Sequence, residues 1–214
     1  MKKRLLPRLC FAVLLVLLGT SNARANVMLS AANFPDDNFR TAVAAAANVS
    51  VGSSFNENTL TRLDLPSLNI VNVTNLKGLE LLTGLTYLDI SGNSGQTRGA
   101  DISGLTALQT LKACDCNISS VNDTIGTSAH PGAGLKLGTG NSKLKYVDLS
   151  DNVNFYSSGN MQYLTNLERL IMNGCTNYDY WSTTVGSALT KLKYLEMSDC
   201  SKLDRIYLPN STSL

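Results

Sequence analysis

The sequence predicts an α/β solenoid: a stack of similar coils, each contributing one short strand to a parallel sheet. Three observations carry this. First, Leu85–Asn93 reads LTYLDISGN, an L-x-x-L-x-L-x-x-N pattern that recurs as LQTLKACDC from Leu108, LKYVDLSDN from Leu144, LERLIMNGC from Leu167 and LKYLEMSDC from Leu192, with a weaker copy, LTRLDLPSL, from Leu60. Second, these starts and Leu214 lie 22–25 residues apart, except for a step of 36 from Leu108 to Leu144. Third, the stretch between copies repeats too, as LELLTGL, ISGLTAL, MQYLTNL and the longer VGSALTKL. A unit of that length cannot bury its own apolar face, so neighbours must stack.

The chain opens with a segment that does not belong to the fold. Met1, Lys2, Lys3, Arg4 and Arg8 are followed by an apolar run, Leu9–Leu18, and by Ala23-Arg24-Ala25, a small-x-small cleavage site. Residues 1–25 read as a secretory signal peptide. The run is too short to span a bilayer, and no later stretch is long and apolar enough. The whole chain carries a net charge of +2, but five of its Lys and Arg lie in the signal; without it, 13 bases face 16 acids, a net −3. No basic stripe remains, which argues against nucleic-acid binding. The expected location is extracellular or at the cell surface.

Residues 26–59 do not repeat. FPDDNFRTAVAAAANVS predicts a helix with Phe34, Phe39 and Val43 on one face and Pro35 and Asp36 near its start, broken at Gly52-Ser53-Ser54. The expected role is an N-terminal cap over the first coil, whose apolar end would otherwise face water.

Residues 60–214 form about six coils. Strand alternation sends Leu88 and Ile90, Leu111 and Ala113, Val147 and Leu149, Leu170 and Met172, and Leu195 and Met197 inward. Leu82, Leu105, Leu164 and Leu189 point inward from the return half, which has room only for a short helical or 3-10 turn. Thr83, Thr106, Thr165 and Thr190 follow them and are expected to hydrogen-bond the local backbone. Ile70, Ile118, Phe155, Tyr178 and Leu203 fill the interior after the ninth position.

Asn93 and Asn152 hold that ninth position in two copies, and Cys116, Cys175 and Cys200 hold it in three. A small residue able to hydrogen-bond the turning backbone is needed there. With Cys114, these make an even count in a secreted chain, which invites disulfides; the repeat favours free, buried thiols. The step of 36 places an insertion at 122–143, rich in Gly, Ser and Thr, with His130-Pro131 inside it; it is expected as a surface loop. The last copy begins at Leu214 without a C-terminal cap, so the final edge is expected to self-associate or to be the end of a fragment.

With these motifs in place, the chain resembles the leucine-rich-repeat superfamily, and within it the secreted and cell-surface bacterial proteins similar to internalins. The likeness covers Leu60 to Leu214; LPSLNIVNVTNLKGLELLTGLTYLDISGN resembles an opening repeat and FPDDNFRTAV the start of an N-terminal cap. The resemblance implies a right-handed solenoid with a curved parallel sheet on its concave face, 3-10 or helical turns on its convex face, and ligand binding, usually of protein, on the concave side. Relatives often carry an acidic, calcium-loop-like stretch after the cap. Here NVSVGSSFNENTL has Glu57 as its only acid, too few carboxylates for a hard cation.

Catalytic signatures are missing: the chain contains no G-x-x-x-x-G-K-[ST], H-E-x-x-H or G-x-S-x-G. One histidine, His130, offers little imidazole chemistry, and Cys114 and Cys116 stand too close together for a zinc site. No cofactor, metal or enzymatic activity is expected. The candidate ligand-binding residues are the outward positions of the strands, Tyr87, Asp89, Lys112, Tyr146, Asp148, Arg169, Tyr194 and Glu196. Tyr and Arg dominate binding hot spots, although tyrosine also simply suits an exposed strand. A protein ligand is the first expectation. A glycan held by stacked tyrosines, with Tyr178, Tyr180 and Trp181 as a second aromatic cluster, and a structural spacer within a larger surface protein are the alternatives.

Overall fold

The computed structural model describes residues 26–95, 99–122 and 133–208; the candidate signal segment and Leu214 lie outside them. In chain order the elements are β1 (Asn26–Met28), α1 (Asp37–Ala47), β2 (Ser54–Asn56), β3 (Arg62–Asp64), β4 (Tyr87–Asp89), β5 (Ala100–Asp101), β6 (Thr110–Lys112), β7 (Ile118–Ser120), β8 (Ala133–Lys136), β9 (Tyr146–Asp148), β10 (Arg169–Ile171), β11 (Tyr180–Trp181), α2 (Thr183–Ala188), β12 (Tyr194–Glu196) and β13 (Arg205–Ile206).

The expected helix is α1. Asp36 caps it by accepting the Phe39 N–H at 2.9 Å, and Asn48, at φ 54°, ends it in the left-handed region. Asp36 also accepts the backbone N–H and the hydroxyl of Thr74, at 2.8 and 2.9 Å, fastening α1 to the chain ahead of β4. The face carrying Phe39, Ala42 and Val43 is fully buried, and the Phe34 ring lies 5.9 Å from that of Phe39. Gly78, at φ 102°, lets the backbone pass so close to Phe34 that a Cβ would sit 2.4 Å from its ring. Beside the helix, β1 and β2 pair antiparallel, a ribbon the sequence reading did not anticipate.

Six strands form one parallel sheet in the order β12-β10-β9-β6-β4-β3, every pair in register. Leu63, Leu88, Leu111, Val147 and Leu170, the middle residues of five strands, are fully buried. Each contributes roughly 1.5–3 kcal/mol by leaving water. Leu82, Leu105, Leu164 and Leu189 meet them from the return half. This is the leucine-rich-repeat solenoid, with the six-stranded sheet as its concave face and short turns, such as Leu79–Leu81 and Gly159–Tyr163, on the way back.

The ninth position holds adjacent coils together. Asn152 is fully buried; its carboxamide accepts the N–H groups of Cys116 and Ile118 at 3.1 and 2.8 Å and donates to the carbonyls of Ala113 and Leu149 at 2.7 and 2.8 Å. Asn93 accepts from Val73 and donates to Ile90. In the other copies, the Cys116, Cys175 and Cys200 thiols donate to Ile90, Leu149 and Met172 carbonyls at 3.0, 3.3 and 3.0 Å. The threonines do not act as expected. Thr83, Thr106, Thr165 and Thr190 are exposed, and their turns are closed by backbone bonds such as Leu85 N–H to Leu82 C=O at 3.1 Å.

The insertion needs correction. Residues 123–132, with His130, lie outside the described residues, but 133–141 are not a projecting loop. Within one coil the convex wall carries two strands, β7 and β8. The order is β5-β8-β7, all parallel, and Ser120 of β7 bridges onward to Ser157. Leu135 and Leu137 are buried, and Asn141, also buried, donates to the Ile102 carbonyl at 2.8 Å. Gly99 faces Gly134 so closely that a Cβ there would lie 1.3 Å from the Gly134 carbonyl oxygen. The glycines that read as loop make a tight strand-to-strand approach possible.

In the last described coil, Leu195, Met197 and Leu203 are half-buried, and Ile206 and Leu208 are 44% and 54% exposed.

Candidate ligand-binding face

Because the strands pair in register, each outward position of the repeat forms a column. One column reads Arg62, Tyr87, Thr110, Tyr146, Arg169, Tyr194; the other reads Asp64, Asp89, Lys112, Asp148, Ile171, Glu196. All eight candidates from the sequence lie on this one sheet. Arg62 and Asp64 were missed, although LTRLDLPSL places them at the same repeat positions; its proline and lost asparagine made that copy look marginal.

The first column is built on cation–π contacts. The Arg62 guanidinium carbon lies 3.5 Å from the Tyr87 ring centre, and Arg169 lies 4.0 Å from Tyr194 and 5.8 Å from Tyr146. The second column ties into the first. The hydroxyls of Tyr87, Tyr146 and Tyr194 donate to Asp89, Asp148 and Glu196, each two residues on, at 3.4, 3.4 and 2.6 Å. Arg62 donates to Asp64 at 2.5 Å. Tyrosine spans two χ angles, so a ring fixed at both face and hydroxyl presents area with little entropy left to lose on binding.

These contacts shift the acid–base balance. The hydrogen bond to Glu196, and then burial, hold the Tyr194 phenol above the usual tyrosine range. The same bond, then that from Asn173, holds Glu196 below the usual carboxylate range. Burial works against the charge on Lys112, but Tyr87, Asp89, Tyr146 and Asp148 around it keep its pKa above the ordinary lysine value. Burial and the Asp148 charge raise Tyr146. Asp89 is only 7% exposed and accepts the Ser91 N–H at 3.0 Å, and Ile171 is 8% exposed. These two form the floor, while Arg62, Arg169 and Tyr194 stand exposed above it.

Two members of the second aromatic cluster, Tyr178 and Trp181, are buried in the interior, the Tyr178 ring tilted against that of Phe155 at 5.5 Å and its hydroxyl hydrogen-bonded to that of Ser158 at 2.5 Å. Tyr178 and Trp181 therefore offer no ring face to the glycan alternative; aromatic spacing alone does not reveal which way the return half faces. Cys114, Cys116, Cys175 and Cys200 are free thiols, and burial pushes Cys114, Cys116 and Cys175 up to about 12. Among the described residues, no group of three or more His, Cys, Asp or Glu side chains is placed to hold a metal ion, and no helix is long and apolar enough to cross a membrane.

No family model and no curated protein matches this sequence. Solved structures do. A secreted internalin-like protein from Listeria monocytogenes matches over 87% of this chain and 67% of its own, at 15% identity and a TM-score of 0.51. Internalin C2 from the same organism matches over 86% and 87%, at 19% identity and a TM-score of 0.45. At such identities the likeness is one of fold. The first of these matches supports an internalin-like leucine-rich-repeat architecture.

Proposed function

We propose that this chain is a secreted or surface-exposed, non-enzymatic binding module that recognises a protein ligand through the concave face. The observation that carries this is the column from Arg62 to Tyr194, in which arginines stack on tyrosines anchored by their hydroxyls to the neighbouring acids. Large, rigid aromatic area beside charged groups is the composition of binding hot spots. Among the described residues, the thiols of Cys114, Cys116 and Cys175, raised to about 12, stay protonated near neutral pH and offer no thiolate nucleophile, which fits the non-enzymatic half. In this reading residues 1–25 are a signal peptide, 26–59 cap the first coil and 60–214 present the face. The solved neighbour described as secreted and internalin-like fits the same location.

The test is a panel of purified extracellular and cell-surface protein domains screened against the wild-type chain and against the triple variant Tyr87→Ala, Tyr146→Ala, Tyr194→Ala. The expected result is a protein ligand lost in the triple variant while its thermal melt stays cooperative. Binding that survives in a folded triple variant overturns the reading, and so does a parallel glycan array that yields the only ligands.

A further inference from the structure

The two rims of the concave face carry opposite charge. On the entry side of the strands, Lys143 and Lys145 flank Leu144, and Lys191 and Lys193 flank Leu192; all four are exposed. Glu168, between them, is the acid of that rim; it pairs with Lys193 at 2.9 Å, and Lys193 first, then Lys145 and Lys191, hold it below the usual carboxylate range. On the exit side, the turn after five of the six strands holds one residue in the left-handed region. Gly92 and Gly174 fill it in two coils and Asp115, Asp151 and Asp199, at φ 48°, 62° and 58°, fill it in three. Asp tolerates that conformation better than most residues, so backbone demand has set an acidic row along this edge. Among the described residues, no ion pair engages Asp115, Asp151 or Asp199.

The column nearer the lysine rim holds Tyr146, Arg169 and Tyr194, and the column nearer the aspartate rim holds Asp148 and Glu196. Bases therefore outnumber acids on the entry side of the strands and acids outnumber bases on the exit side, with Glu168 and Lys112 as the exceptions. Lys145 and Asp151 are six positions apart along the chain, so the rims lie at most roughly 20 Å apart. That limit leaves room for a helix with its side chains, about 10–12 Å across.

Resting on the concave-face reading above, we propose that the partner is a protein segment with segregated flanks. A row of acids faces Lys143, Lys145, Lys191 and Lys193, a row of bases faces Asp115, Asp151 and Asp199, and apolar or aromatic side chains lie over the tyrosines between. Rim charges screen wrong partners and set orientation more than they add affinity. Turning such a segment end for end would put like charges together on both rims, so the face also fixes its direction.

The probe is a synthetic helical peptide with glutamates along one flank, lysines along the other and a leucine stripe between, compared with a scrambled peptide of equal composition. Binding to the wild-type chain is measured by fluorescence anisotropy at low and high salt. The segregated peptide is expected to bind about tenfold more tightly than the scrambled one, with a preference that fades as salt rises. Changing Lys143, Lys145, Lys191 and Lys193 to Gln, or Asp115, Asp151 and Asp199 to Asn, should each erase most of it; asparagine keeps the left-handed turn, so folding is retained. Equal binding of both peptides, binding of neither, or stronger binding of a uniformly acidic peptide overturns the proposal. The Tyr87→Ala, Tyr146→Ala, Tyr194→Ala chain separates the two readings. If it loses both peptides while wild type does not discriminate, the face binds but the charge division is irrelevant. If it still prefers the segregated peptide, the rims act without the tyrosines and the concave-face reading fails instead.

Discussion

The side chain of Asn152 accepts the backbone N–H of Cys116, 36 residues earlier, at 3.1 Å, so the turn of one coil is closed by the next. Four buried hydrogen bonds meet on this one carboxamide. Replacing Asn152 with Ala leaves their partners unsatisfied, at about 1–3 kcal/mol for each group. We expect Asn152→Ala to lower stability by about 4 kcal/mol or more in denaturant titration, the low end for four such groups. Asn152→Cys, which copies the neighbouring coils, should cost clearly less. Equal losses from the two would contradict the equivalence of Asn and Cys at this position.

The Tyr194–Glu196 pair gives a pH prediction of fixed sign. The phenol is raised in the fold, so its contribution to stability is complete below its unfolded value of about 10 and disappears as pH rises through the folded value. Glu196 is lowered, so its contribution is complete above about 4.3 and is lost as pH falls through the folded value. Glu196→Gln should return the Tyr194 titration, followed by NMR of a labelled ring, toward the ordinary tyrosine range. An unchanged midpoint would mean that the hydrogen bond does not persist in solution.

The thiols should divide by coil. Cys116 and Cys175 are buried and raised to about 12, whereas Cys200 is half-buried in the last described coil. Because these folded values are raised, they cost the fold nothing near neutral pH and weaken it only as pH climbs toward them. Iodoacetamide at pH 8 followed by mass spectrometry should label Cys200 first, and Cys116 and Cys175 only on unfolding. Prompt labelling of Cys116 would contradict the packing described.

Gly99→Ala tests the doubled convex wall. A Cβ at this position meets the Gly134 carbonyl, so β8 must shift. Overpacking of this kind costs about 1–3 kcal/mol. The loss should be visible as a lower denaturation midpoint, while Gly104→Ala, where a Cβ meets nothing within 4 Å, serves as the control. A neutral Gly99→Ala would show that β5 and β8 do not pack as closely as described.

The concave side was legible because its code is redundant. Leu88, Leu111, Val147 and Leu170 recur in phase, and once the phase is known Tyr87, Tyr146 and Arg169 must point outward. The convex side was not, because its code is local. Ala133-Gly134-Leu135-Lys136-Leu137 alternates as a strand does, but the signal is short and lies among glycines and serines that elsewhere mean loop. Tyr178 and Trp181 show the same limit, since burial on the return half depends on which neighbour lies beneath and no repeat position records it. The rim charges were visible residue by residue; their segregation emerged only when register placed Asp115, Asp151 and Asp199 along one edge.

The second strand that one coil lays along the back has a geometric outcome for the front. Between the coils of β4 and β9 the front advances by two strand spacings, β4 to β6 to β9, while the back advances by three, from β5 through β8 and β7 to Ser157. With strands about 4.8 Å apart and walls about 10 Å apart, the surplus spacing acts as a wedge that bends the arc by roughly 25–30° at a single point. Thr110 stands between Tyr87 and Tyr146 in the first column, on the strand whose coil carries the surplus. The first column is thus divided at the coil of β6, with Arg62 and Tyr87 on one side and Tyr146, Arg169 and Tyr194 on the other.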